Sequence, residues 1–174
     1  TGISQSNSIT LISGGQDNNF RLSIGNSDEK GMIPMTEFKK FNIGFNGNMK
    51  LGEKLTAGAN VTFFNNKSDN LPNVGYSSSN VVQQFIWSAR NVNFTDLKNW
   101  RNLPLAPVGT AAEGTPLNWN TVFQNNPYWV LETNRNTYDQ DRVTGATYLN
   151  YKFTDNFSIN GKLSLDHYSQ RETV

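Results

Sequence analysis

Phe41-Asn42-Ile43-Gly44-Phe45-Asn46-Gly47-Asn48-Met49 decides the fold. Phe41, Ile43, Phe45 and Met49 share one side, and Asn42, Gly44, Asn46 and Asn48 the other. A period of two is the signature of a strand with one apolar and one polar face. The stretch after it repeats the pattern: Leu55, Ala57, Ala59, Val61 and Phe63 alternate with Thr56, Gly58, Asn60 and Thr62. Lys50-Leu51-Gly52-Glu53-Lys54 lies between them, so the pair forms a hairpin. Val143, Leu149, Tyr151 and Phe153, then Phe157, Ile159, Leu163 and Leu165, give a second hairpin around Thr154-Asp155-Asn156. A weaker one turns at Gly14–Asn18, where Ile12 interrupts the first alternation and Phe20, Leu22 and Ile24 restore it.

Six strands are therefore expected, near 8–14, 19–25, 38–49, 55–65, 142–153 and 157–168. Ten such residues, tilted near 45°, span roughly 24 Å, the height of the apolar band of an outer-membrane barrel. The expected fold is all-β: part of a large transmembrane antiparallel barrel. Short turns alternate with long connections, at 26–37 and 67–141, which is the polarity of such barrels. Six strands leave two edges open, and bacterial single-chain barrels begin at eight, so the chain reads as an interior slice of a larger barrel domain.

The composition agrees. Among 174 residues, 17% are charged, 36% hydrophobic and 12% aromatic, and roughly one residue in seven is Asn. A disordered chain would be rich in charge and poor in aromatics. Net charge is +1, which supplies no field for nucleic acid. With no cysteine, disulfides and Cys-based metal sites are excluded. No apolar run is long enough for a membrane helix.

The 67–141 loop holds all four Trp (Trp87, Trp100, Trp119, Trp129). Asn80 caps an expected helix with Gln83 reaching back to it, and Val81, Val82, Phe85, Ile86 and Ala89 form its apolar face. Asn126-Pro127 reads as a turn. Trp119, Tyr128, Trp129 and Asn126 are candidates for binding a solute, since aromatic faces suit sugar rings and peptide side chains alike. The competing reading is that these rings fill the core of the loop.

Asn42, Asn46, Asn60, Thr62 and Asn160 are expected to line a wet lumen, and Phe41, Ile43, Phe45, Val61, Leu149, Phe153, Ile159 and Leu163 to face lipid. Phe63, Phe64, Tyr148, Tyr151 and Tyr168 are candidates for aromatic girdles at the interfaces. Asp139-Gln140-Asp141 lacks the rest of a Ca²⁺ loop. His167, the one histidine, has no catalytic partner and falls in the outward register. Asn-x-Ser/Thr triplets at Asn60, Asn66, Asn93 and Asn156 are expected by chance in so Asn-rich a chain. No metal, cofactor or catalytic residue is expected.

One ordered set of segments carries a resemblance: Ser13-Gly14-Gly15, Phe20 to Gly25, Phe38 to Asn42, Lys50 to Leu55, Asn126-Pro127-Tyr128-Trp129, Asn134, Asn136, Asp141-Arg142, Gly145 and Leu149 to Asp155. It resembles the SusC/RagA family of TonB-dependent outer-membrane transporters of Bacteroidota, over essentially the whole chain. The resemblance implies a 22-stranded barrel with a plug and uptake of glycans or oligopeptides. It also implies a SusD-like surface lipoprotein as lid, and energy from TonB–ExbB–ExbD through a part of the protein that this sequence does not contain. Two rival readings are a secreted soluble β-sandwich that binds glycans, and a barrel fragment held by the barrel-assembly machinery.

Overall fold

The computed structural model describes residues 1–122 and 124–173. Its sheet has six strands: β1 (Ile3–Gly14), β2 (Asn18–Lys30), β3 (Glu37–Leu51), β4 (Leu55–Ser68), β5 (Thr137–Thr154) and β6 (Phe157–Thr173). Every strand pairs antiparallel with its neighbours in sequence, in the order β1-β2-β3-β4-β5-β6. The all-β architecture and the three hairpins expected from the alternation are present.

The strands outrun the expected ones on the side of the long connections. The segment 26–37, expected to be a long loop, is half strand, and only residues 31–36 connect β2 to β3. The 67–141 loop shrinks to 69–136. The added residues, such as Asp28, Lys30, Glu37, Asp139 and Arg171, are polar on both faces. They pair through their backbones but carry no alternation to betray it.

Among the described residues no layer packs on either face of the sheet. Every residue of β1 and β6 is exposed, and in the whole sheet only Gly25 and Ser68 are buried. The buried apolar residues all lie in the 69–136 segment: Val81, Leu97, Ala106, Ala112, Val130 and Leu131. That segment is a small module built on α1 (Val81–Trp87), α2 (Phe94–Lys98) and α3 (Pro127–Thr133). Its helices pack on one another and on no strand to a comparable extent.

The register puts the three tight turns on a slanted line. Gly14 and Asn19 close the first hairpin on the row of Asn48, while Leu51 and Leu55 close the second three residues further along β3. Tyr151 shares the row of Leu55, and β5 continues three residues beyond it, one of them bulged, before Thr154 meets Phe157. Three residues are about 10 Å along a strand, and two strands are about 9.6 Å across the sheet. The line of turns therefore lies at about 45° to the strands, the tilt of strands in a closed barrel whose turns share one plane.

Candidate functional site

Because paired residues share a face, the pairing sorts the strand residues directly. Ile9, Ile24, Ile43, Phe63, Val143 and His167 form one row across all six strands, and Leu11, Leu22, Phe45, Val61, Gly145 and Leu165 the next. This face also carries Phe41, Leu149, Phe153, Ile159 and Leu163. Asn42, Asn46, Asn60, Thr62 and Asn160 lie on the opposite face, where Asn46 pairs with Asn60, Thr62 with Thr144, and Asn150 with Asn160.

The polar face is tied together by side chains. Asn66 Nδ2 donates to Gln140 Oε1 (3.2 Å), Gln140 Nε2 to Gln170 Oε1 (2.9 Å) and Gln170 Nε2 to Glu172 Oε1 (2.7 Å). Below this ladder the Arg142 guanidinium grips Asp166 through two bonds, of 2.9 and 2.6 Å. Asn60 Oδ1 accepts from the backbone N–H of Ala146 (2.8 Å), and a polar recess of 250 Å³ opens there, lined by Asn60, Thr62, Thr144, Gly145, Ala146 and Leu165. Amides and hydroxyls of this kind can exchange hydrogen bonds with a polar solute.

The aromatic residues near strand ends divide differently from the girdle expectation. Phe63 and Tyr151 lie on the apolar face, whereas Phe64, Tyr148 and Tyr168 have the polar-face register. The alternation near Phe63-Phe64 is ambiguous in sequence, because adjacent aromatics point to opposite faces. At the tight-turn end, Tyr151, Phe153 and Phe157 form a cluster, with ring centroids 4.7 and 5.4 Å apart.

In the module, Asn126 is fully buried. Its Oδ1 accepts from the N–H groups of Tyr128 (3.0 Å) and Trp129 (3.3 Å), which caps α3. Its Nδ2 donates to Leu97 O (3.0 Å) and Leu117 O (3.4 Å). Both polar side-chain atoms of Asn126 are thereby engaged within the module. Tyr128 meets Phe85 edge-on at 6.0 Å, and Trp129 packs on the cluster of Val81, Val130 and Leu131. Trp119 is half-buried, with its indole Nε1 unpartnered. Among the described residues no ring contact joins it to Tyr128 or Trp129. Three of the four candidates thus belong to the packing of α3.

The expected α1 is present, and Asn80 Oδ1 caps it at Val82 N (3.0 Å) and Gln83 N (3.3 Å). Gln83 accepts from Ser77 N instead of Asn80 N. The apolar face differs as well. Val81 and Gln84 are buried, Val82 and Ile86 are exposed, and Ala89 lies beyond the helix. Helix α3 is not expected from the sequence, although Asn at the cap followed by Pro at the first helical position is a start signal.

Among the described residues no group of three metal-ligating side chains comes together. Asp139 and Asp141 share Asn65 Nδ2, at 3.3 and 2.8 Å. No helix among the described residues is long and apolar enough to cross a membrane.

No protein-family model matches the chain, and no curated protein matches it. Among solved structures it is similar to the RagAB peptide importer in the "open-open" state, with a TM-score of 0.61 and 14% sequence identity. The match covers 97% of this chain and 18% of that one. The likeness is one of fold: the six antiparallel strands of this chain match part of a large all-β barrel.

Proposed function

We propose that the chain is a section of wall, with one external loop, of an outer-membrane importer of large nutrients. The slanted line of the three tight turns carries the reading. A sheet that is apolar on one face, polar on the other, unpacked on both and tilted at about 45° suits a lipid bilayer outside and a wet lumen inside. The cluster of Tyr151, Phe153 and Phe157 would mark the interface at the tight-turn side. A soluble sandwich needs a second sheet over Ile43, Phe45 and Leu163, and the described residues form one sheet.

Function here would be binding and passage, without bond chemistry or a cofactor. Asn42, Asn46, Asn60, Thr62 and Asn160 would line the lumen, and Phe41, Ile43, Phe45, Val61, Leu149, Phe153, Ile159 and Leu163 would face lipid. The likeness to a peptide importer favours oligopeptide over glycan as cargo. The open edges of β1 and β6 would pair with the remainder of the barrel. A SusD-like lipoprotein would meet the external side, and TonB–ExbB–ExbD would act through another part of the protein.

Single cysteines test this, because the chain has none of its own. In isolated outer membranes, Asn46→Cys and Asn60→Cys should react with a charged, water-soluble maleimide, and Ile43→Cys and Leu163→Cys should not. Equal labelling of both faces, in protein recovered folded without detergent, would overturn the reading.

A further inference from the structure

We infer that the connection 31–36 is a strap that fastens the 69–136 module to the rim of the sheet, with Ile33 as its pin, and that release of Ile33 lets the module swing as one body. The module has its own core and two slender ties to the sheet. The first is its neck, where Leu71 N–H donates to Asn136 O (2.8 Å) and Asn136 Nδ2 donates back to Leu71 O (3.1 Å). Asn70 Nδ2, buried, donates to Leu131 O (3.0 Å) and joins the neck to α3. The second is Ile33, which comes from the β2–β3 connection and packs against Val81, Val130 and Leu131.

The strap is built to present that side chain. Gly31 N–H donates to Thr36 O (2.9 Å), and Thr36 returns its hydroxyl to Ile33 O (2.7 Å). Thr36 Oγ1 occupies the space that a Cβ on Gly31 would need. Pro34 follows Ile33, and Met35 has φ +64°. Proline then a left-handed residue is the pattern of a type II turn, whose left-handed site ordinarily takes Gly or Asn. Methionine there is strained. Met32 and Met35 are both exposed, so no packing of their own holds the turn. Packing of the half-buried Ile33 against the module offsets the strain, which makes the tie reversible: the turn relaxes when the pin leaves. An open recess of 420 Å³ lies at this junction, where Gly31, Met32 and Thr36 of the strap and Asn70, Leu71 and Pro72 of the neck meet residues 2–4. It leaves room for the neck to bend.

The inference concerns motion of the module and holds for any cargo. Hydrogen exchange of the protein in its native membrane or detergent tests it. In Ile33→Asp, amide protection should fall at least tenfold at Gly31, Thr36 and Leu71 while Gln84 and Val130, inside α1 and α3, keep theirs. Met35→Gly should raise protection at Thr36, because it removes the strain. Spin labels at Val108→Cys in the module and Asp155→Cys in the far turn should give one narrow distance with Ile33 present and a broad distribution with Ile33→Asp. Unchanged protection at the strap and neck would overturn the inference. So would simultaneous loss at Gln84 and Val130, which would make Ile33 an ordinary core residue. If Ile33→Asp does not fold, Ile33→Ala and Met35→Gly still decide: equal strap protection in both would refute it.

Discussion

Tyr148 lies with its ring across Gly58, its partner on the neighbouring strand, and fills the space where a Cβ would stand. Gly145, on the apolar face three rows away, is hemmed in by backbone instead: a Cβ there would lie 2.8 Å from Asn60 O. The two glycines should respond differently. In Gly58→Ala the ring can rotate away, at a cost of about 1 kcal/mol; Gly145→Ala must move β4 itself, at about 2–3 kcal/mol. Denaturant unfolding of the two variants checks the order, and equal costs would sink the distinction.

Asn126→Ala removes the cap of α3 and leaves Leu97 O and Leu117 O without a side-chain donor. The sum should be about 2–4 kcal/mol in the module, against about 1 kcal/mol for the half-buried cap in Asn80→Ala. Asn126→Asp keeps the cap acceptor but turns a buried carboxylate oxygen onto Leu97 O and Leu117 O, so it should cost at least as much as Asn126→Ala. Local hydrogen exchange reads them, at Val130 and Asn134 for the two Asn126 variants and at Gln84 for Asn80→Ala.

The Arg101 guanidinium, paired with Glu132 and stacked 4.3 Å over Trp100, holds the Glu132 carboxyl below the ordinary glutamate range, with burial opposing it. A lowered pKa contributes stability that is complete above the unfolded value, about 4.3, and is lost as pH falls through the folded one. Arg101 is 66% exposed, so the contribution stays under about 1 kcal/mol. Module stability should therefore fall more between pH 5 and 3 in the native protein than in Glu132→Gln. Half-molar salt should shrink the difference.

Leu163 and Asn160 sit three residues apart on β6, on opposite faces. If the apolar face meets lipid, Leu163→Arg should cost about 2–4 kcal/mol near the midplane and lower the folded yield in the outer membrane. Asn160→Arg should be tolerated. Heat-modifiable migration on gels separates folded from unfolded barrel. Similar yields for both would count against the assignment of faces.

The strands were legible in the sequence where one face is apolar and the other polar, because a period of two then appears in the side chains. They were illegible at Asn26–Lys30 and Glu37, where charge occupies both faces and only backbone pairing defines the strand. Helix α1 announces its start through Asn80, but the face it buries, with Val81 and Gln84, does not follow its apolar residues. Gln84 is buried and donates to Ser78 O, so hydrophobicity is no guide to which side turns inward. Asn126 stood out in sequence as a polar residue before two aromatics. Its burial follows from three segments, at 97, 117 and 126, that only the fold brings together.

The insertion between β4 and β5 also sets the order in which the sheet can assemble. All other strand pairs close across six residues or fewer, but β4 must find β5 across residues 69–136. Closing so long a chain costs roughly 2.5 kcal/mol more in loop entropy than closing a four-residue one. Once α1 and α3 have packed, with Leu71 joined to Asn136, the ends of that loop are already side by side. The module then acts as a folding clamp, and β4–β5 zippers as a hairpin. Variants that unfold the module, such as Asn126→Ala, should slow formation of this strand pair and leave the β1–β2 and β3–β4 hairpins to form at their native rates.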